Sequence, residues 1–327
     1  MFTNVNPIDY GLPQPYFLEK AIDIGGAYVS PGAGRVFRVR GTAAGAVSSY
    51  DDANTQVLFS NQPVFPSVAL ALKQCKASRG DTIFVYPGHA ENIASADAWD
   101  FKANVKIIGL GWGDTRPTFT FTVAAATLLL DVAGVSIQNC RFLCAGPSGT
   151  TALTVAAPFT LSGEGCALVG CYSQVGIDAD QICTTFMTIT GKNCLVAGNE
   201  VAGLAVGAEI TDVIVLTGAD YVRILDNYMK VTVGAAQGLI RSLTTASLNV
   251  RIERNYIYSW KASSTSCINF TAALANTGII ANNRLRVTTD GGVAHIGVNA
   301  AGDLSLYDNK GVNAVNESGL AIGTAST

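Results

Sequence analysis

Proline is missing from half of the chain. All ten prolines lie at or before Pro158, and none occurs from Phe159 to Thr327. Proline has no backbone N–H to give to a ladder, so a long proline-free run suits a structure that uses nearly every main-chain donor. Charge is scarce too: 14% of the 327 residues are Asp, Glu, Lys or Arg, where ordinary globular chains carry about 25%. Between Val123 and Gly163 only Asp131 and Arg141 are charged. The net charge of −3 comes without a basic cluster, which argues against a nucleic-acid partner. No apolar run approaches the roughly 20 residues of a membrane span, so no membrane partner is expected. The start, MFTNVNPIDYG, has neither a basic nor an apolar leader region, which points to synthesis in a cytoplasm without export by a signal peptide. There are two histidines, His89 and His295, and neither has companions that would make a triad or a metal site. No cofactor is expected, and no helical period is sustained through the second half.

What that half does hold is a repeat. From residue 135 to 311 the pattern apolar, any, apolar, two of any, Asn or Cys recurs seven times, beginning at Val135, Cys166, Cys194, Val222, Val250, Gly278 and Leu304. The third positions, Ile137, Leu168, Val196, Ile224, Ile252, Ile280 and Leu306, are all aliphatic. The sixth positions are Cys140, Cys171, Asn199, Asn227, Asn255, Asn283 and Asn309, spaced by 31, 28, 28, 28, 28 and 26 residues. Alternating Val and Ile bounded by Gly, Asn, Asp and Thr signals short strands, and a fixed period of this length signals a solenoid. Stacked in register, each strand gains a parallel neighbour about 4.8 Å away. The expected fold is therefore an all-β parallel β-helix of about eight coils, counting one at Val105 to Leu110, in a stack of roughly 40 Å.

The asparagine column belongs inside. A buried amide is costly unless paired, and stacked amides can bond above and below as in cross-β ladders. Cys140 and Cys171 fill the same slot at the early end as small apolar side chains. Cys166 and Cys194 also fall on interior positions and Cys75 on a helix, so the eight cysteines are expected as free thiols, although Cys166 and Cys194 lie one coil apart, where a bridge is geometrically open.

Ahead of the repeat, residues 1–34 hold Pro7, Pro13, Pro15 and Pro31 among scattered aromatics, which reads as an extended attachment arm or as a loose terminus, with the aromatic and large aliphatic residues of Tyr10 to Leu18 favouring the arm. The region 35–104 comprises a strand at Arg35 to Val39, a polar loop, and a helix from Ser67 to about Lys76 with Ser67 as N-cap, followed by a first coil. That helix would close the open end of the solenoid. The β-helix proper is expected over 105–312, with a tail at 313–327.

Two stretches look familiar. Gly80-Asp81-Thr82-Ile83-Phe84-Val85-Tyr86-Pro87-Gly88-His89-Ala90-Glu91-Asn92-Ile93 is followed by Val105-Lys106-Ile107-Ile108-Gly109-Leu110-Gly111-Trp112-Gly113-Asp114 and Arg116-Pro117. Over about residues 67 to 121 the chain resembles the opening coils of the pectin-lyase-like right-handed parallel β-helix proteins, in the variants found among tailed-phage virion proteins. His89-Ala90 departs from that family, which commonly has Thr-Tyr there, in a turn that carries no chemistry. The resemblance implies a right-handed coil. It further implies a virion structural protein, a capsid decoration, cement or head-spike subunit that is a homotrimer and binds the major capsid protein or other virion proteins through its arm. The low charge points the same way, because faces this poor in charge ask to be covered.

Chemistry is harder to find. β-Helix enzymes that cut polysaccharides need paired acids, or a basic residue beside calcium. The best acidic group is Asp178 and Asp180 with Glu209 and Asp212, since one period beyond Asp180 falls at position 208, beside Glu209. Gly-Ile-Asp-Ala-Asp reads equally as a solvated turn, and the Asn-Thr-Asp, Asp-Asp and Gly-His-Gly pattern of polygalacturonases is absent. The expectation is no enzyme. The alternative is a tailspike or tail-fibre subunit that binds or depolymerises surface polysaccharide, and a secreted lyase fits less well. A second column, one residue past the ladder, runs Arg141, Tyr172, Glu200, Tyr228, Tyr256, Arg284 and Lys310. By alternation it points outward, a stripe of the kind that binds sugars or partner subunits, or simply a solvated edge. Arg79-Gly80-Asp81 spells an adhesion tripeptide but sits where a helix-to-strand turn needs Gly. Asn269-Phe-Thr271 and Asn316-Glu-Ser318 fit glycosylation sequons that have no meaning without export.

Overall fold

The structure is a computed structural model, and it describes residues 34–41, 64–145, 153–178, 181–203, 210–259, 266–270, 272, 274–287, 294–299, 301–312 and 322–325. The expected arm (1–34) falls outside these residues but for its last position, as do Asp180 and Glu209.

The chain is a parallel β-solenoid of about eight turns. Three long sheets run its length. The first has 11 strands, from Val64–Phe65 and Val36–Val39 through Ser136–Gln138 to Asp303–Tyr307. The second has nine, from Ala90–Ile93 to Lys310–Val312, and the third has eight, from Leu128–Leu130 to Ile322–Ala325. Neighbouring strands within each of these sheets are parallel, and from Thr82–Val85 onward they come from successive coils, whereas Val64–Phe65 lies outside Val36–Val39 at the start of the first sheet. The repeat's third positions pair directly, Ile137 with Leu168, Leu168 with Val196, Val196 with Ile224 and onward to Leu306. The same column reaches back through Ile107 and Ile83 to Phe37, so the stack includes strands before the first recognisable repeat. At the other end, Ile322–Ala325, placed by the sequence in a tail, pairs in parallel with Ile296–Asn299.

Inward positions of the three sheets share one core. Ile107, Ile137, Leu168, Ile224 and Ile252 are fully or almost fully buried, and Phe119, Phe121, Phe142, Phe159 and Phe186 form a chain of edge-to-face and stacked contacts up the early coils. Each fully buried aliphatic or Phe side chain contributes about 1.5–3 kcal/mol of burial free energy.

The corners explain how a short repeat turns. Each ladder residue follows one in the left-handed region: Asn139, Gly170, Gly198, Asp226, Arg254, Asn282 and Asp308, with φ of 53–63°. Asn104, Gly134, Gly165, Asn193, Tyr221 and Asn249 do the same at the opposite end of the first-sheet strands, with φ of 56–72°. Left-handed backbone costs an L-residue roughly 1–2 kcal/mol unless it is Gly, or Asn or Asp with local hydrogen bonds. Most of these positions meet that condition. Tyr221 and Arg254 do not, and Arg254 is held by a bidentate pair with Asp226 one coil earlier, Nε to Oδ1 at 2.7 Å and Nη2 to Oδ2 at 2.9 Å.

Helix α1 (Val68–Leu72) is shorter than expected. Ser67 is its N-cap, with Oγ accepting from the Leu70 N–H at 3.3 Å, and the Glu91 carboxylate accepts from the Val68 N–H at 2.9 Å. The helix stops because the Lys76 N–H is taken by Asp81 Oδ2 at 2.8 Å, which draws the chain away from the helical path. Cys75 therefore lies past the helix, its thiol against the Ala71 carbonyl at 3.5 Å. Val68, Ala71 and Leu72 still bury against the first coils, as a cap requires. Among the described residues no helix is long and apolar enough to cross a membrane.

Candidate functional site on the second sheet

The ladder that sets the corner is closed. Asn199, Asn227, Asn255 and Asn283 are at most 2% exposed, and Asn309 is half-buried. In each step the backbone N–H and the Nδ2 of one asparagine both donate to Oδ1 of the next, from Asn199 to Asn227 at 3.0 Å through to Asn283 and Asn309 at 3.1 and 2.9 Å. Nδ2 also donates to a carbonyl of the preceding coil, such as Leu168 for Asn199. At the early end the Cys171 N–H donates to Asn199 Oδ1 at 2.9 Å, and the Cys171 thiol rests on the Val169 carbonyl. This column is architectural: it has no face left for a ligand.

One residue later the chain emerges on the second sheet with its side chains outward. Arg141 pairs with Tyr172, Tyr172 with Glu200, Glu200 with Tyr228, Tyr228 with Tyr256, Tyr256 with Arg284 and Arg284 with Lys310, so the outward stripe read from the sequence is one file. Tyr228 and Tyr256 stack at 5.1 Å with rings 13° apart. Beside them Tyr258 carries the Arg286 guanidinium at 4.7 Å and the Lys230 ammonium at 6.0 Å.

At its early end the stripe is walled into a cleft. Strand Lys106–Gly109 is followed by Trp112 and a 3₁₀ turn, Gly113–Thr115, which stands clear of the coil. Thr115 locks the turn: its hydroxyl accepts from the Trp112 N–H at 2.9 Å and donates to the Trp112 carbonyl at 2.8 Å. Trp112, Asp114 and Arg116 thereby face Arg141, Tyr172 and Glu200 across about 380 Å³. The Arg116 guanidinium lies 5.4 Å from the Trp112 ring centre, that of Arg141 lies 5.6 Å from the Tyr172 ring centre, and Arg141 reaches Asp114 at 3.3 Å. Trp112 is 75% exposed, the most exposed large apolar side chain among the described residues. Sequence reading did not assign Trp112, Asp114 and Arg116 to a site. The signal was there, since Arg116 lies about one coil before Arg141.

The acidic candidates do not form a described pair. Asp178 ends strand Gly176–Asp178, which runs antiparallel to Gln181–Cys183, and the two residues that join these strands lie outside the described ones. Asp212 is on the third sheet and only 1% exposed, with Oδ2 accepting from Arg241 Nη2 at 2.6 Å. Burial pushes its carboxyl above the ordinary carboxylate range, against the pull of Arg241 and the Gly238 N–H. It forms a buried ion pair with Arg241.

The other singled-out residues are buried and held by contacts within the fold. His89 Nδ1 accepts from the Gly41 N–H at 2.7 Å, which leaves Nε2–H to donate to Glu91 at 3.1 Å, and its ring packs on Phe119. His295 is buried, its pKa lowered by burial, with Gly311 packed close against the ring. The Asp81 carboxylate of the Arg79-Gly80-Asp81 tripeptide is fully buried. It takes the N–H groups of Arg35 and Lys76 at 2.7 and 2.8 Å and a double contact from Arg79, so no receptor can reach it. Burial alone would raise its pKa, but these donors hold it below the usual range. All eight cysteines are buried thiols, and burial pushes Cys75, Cys171, Cys194 and Cys267 up to about 12 and Cys166 to about 11. Among the described residues no three His, Cys, Asp or Glu side chains are grouped to hold a metal ion.

No protein-family model matches the chain, and no curated protein and no solved structure matches it. Fold and geometry therefore define the class: a parallel β-solenoid with an amide ladder inside and a stripe of aromatic and charged side chains outside.

Proposed function

We propose that the chain is a non-catalytic structural subunit of a tailed-phage virion, a capsid decoration, cement or head-spike protein that assembles with copies of itself and attaches through residues 1–34. The observation that carries the reading is an outward file of the third sheet without charge over three half-buried rungs, Leu129, Thr160 and Thr188, which stand side by side before the file passes to the buried Val215 and then Arg241. Such a face can be covered at little desolvation cost, whereas charged faces must find partners. The resemblance of residues 67 to 121 to virion β-helices agrees with it. The mechanism is mechanical: a preformed rigid body spreads buried area over neighbouring shell subunits and stabilises the assembled form by mass action. Of the acids a depolymerising tailspike would use, Asp180 and Glu209 lie outside the described residues and Asp212 is paired with Arg241.

The test is co-sedimentation. Virions from a phage carrying this sequence are assayed for the chain, and particles stripped of it are mixed with the full chain or with a chain lacking residues 1–34. The full chain is expected to sediment with the particles and the shortened one to stay in solution. Absence of the chain from purified virions, or equal retention of both forms, overturns the proposal.

A further inference from the structure

We propose that the cleft between the Trp112 turn and the second sheet is a binding site for a neutral oligosaccharide. Its lining is two aromatic rings, Trp112 and Tyr172, two guanidinium groups, Arg116 and Arg141, and two carboxylates, Asp114 and Glu200. The formal charges cancel. A polyanion such as a nucleic acid or a polyuronate would meet as much repulsion as attraction here, and a cationic peptide likewise. A neutral sugar uses every group. The C–H face of a pyranose ring lies against an exposed aromatic plane, and the flat, two-pronged carboxylates and guanidiniums match pairs of adjacent hydroxyls, each of which both donates and accepts.

The geometry is preformed. Thr115 holds the Trp112 backbone by two bonds, Arg116 stands against the indole, and Arg141 is oriented by Asp114 on one side and the Tyr172 ring beneath it. A turn whose backbone is already fixed loses little freedom on binding. The volume, about 380 Å³, lies toward the low end of the roughly 300–1,000 Å³ usual for ligand sites. From the rung of Thr118, through Arg141 and Tyr172, to Glu200 the floor spans three rung spacings, about 14 Å. That is room for a short chain of rings. Beyond it Tyr228 and Tyr256 continue the aromatic file in the same direction, so a longer glycan would run parallel to the solenoid axis. The inference does not rest on virion membership, since the cleft involves none of residues 1–34.

The experiment is calorimetric titration of the full chain with maltohexaose, cellohexaose, laminarihexaose and mannohexaose, with hexagalacturonate as the charged comparator. At least one neutral hexasaccharide is expected to bind saturably. Its affinity should fall at least tenfold in Trp112→Ala and in Tyr172→Ala, and stay unchanged in Tyr307→Ala, which removes an exposed ring at the far end of the first sheet. Trp112 is exposed, so its variant should keep the wild-type circular dichroism. No saturable binding to any of the four, undiminished binding in Trp112→Ala, or tighter binding to hexagalacturonate than to all of them overturns the proposal. Attachment to virions is read by a separate assay, so either reading can fall without the other.

Discussion

Replacing Asn255 by Ala removes the middle of the amide column and tests whether that column bears on stability as its geometry requires. Asn255 Oδ1 accepts from the Asn227 N–H and Nδ2, both at 2.9 Å, while its Nδ2 donates to the carbonyls of Ile224 and Glu253 and to Asn283 Oδ1 at 2.9, 3.1 and 3.0 Å. Asn255 is 1% exposed, so water cannot take these places without opening the coil. The Asn227 N–H and the Ile224 carbonyl each lose a bond from this amide, at about 1–3 kcal/mol per buried group left unpaired. With a modest cavity term the loss comes to about 3–6 kcal/mol. Asn309→Ala is the internal control: the same chemistry at a half-buried end, where water substitutes, should cost about 1 kcal/mol or less. Chemical denaturation gives the two values, and hydrogen exchange at the Asn227 amide reports the local opening, which matters because coils need not unfold all at once. Equal losses in the two variants, or an Asn255→Ala protein within 0.5 kcal/mol of wild type in an assay of about that precision, would refute the reasoning.

The thiols and carboxylates give further outcomes. With every cysteine buried, the native protein should not react with a disulfide reagent at pH 8 on a timescale that modifies all eight in denaturant, and rapid native labelling would contradict the burial. Asp81 and Asp212 oppose one another in acid. The Asp81 pKa is lowered in the fold, so its contribution is present above the unfolded carboxylate value of about 3.9 and is lost as pH falls through the native value. The Asp212 pKa is raised, so its unfavourable contribution stands at neutral pH and is relieved on acidification through its native pKa. Denaturation midpoints between pH 7 and 3 should therefore show a flatter acid decline in Asp81→Asn and a steeper one in Asp212→Asn; the reverse order would sink the assignment.

The coil was legible in the sequence because its interior demands the same residue type at the same interval. Ile137, Leu168, Val196, Ile224, Ile252 and Ile280 are interchangeable in kind, and an amide stack works only with amides throughout. The left-handed corners were not legible, because Gly170, Asp226, Arg254 and Asn139 meet one backbone requirement with four different side chains. Helix α1 was overextended since Cys75 continues its apolar face, while the Asp81 carboxylate that stops it acts through the main chain. The outward stripe was legible by alternation, but its cleft depends on the Trp112 turn reaching over a later rung, and Arg241's hold on Asp212 crosses 29 residues in the same way. Lateral contacts between coils follow no short-range pattern.

The 28-residue spacing of the later asparagines has one more consequence, for the length of the molecule. Excising Glu200 to Asn227 would join Asn199 directly to Tyr228 and set the Asn199 amide onto Asn255, with the same atoms meeting as before. A structure whose levels are equivalent in this way has no unique middle, so its height is a variable that insertion or loss of whole units can adjust while the two ends, and whatever they hold, stay as they are.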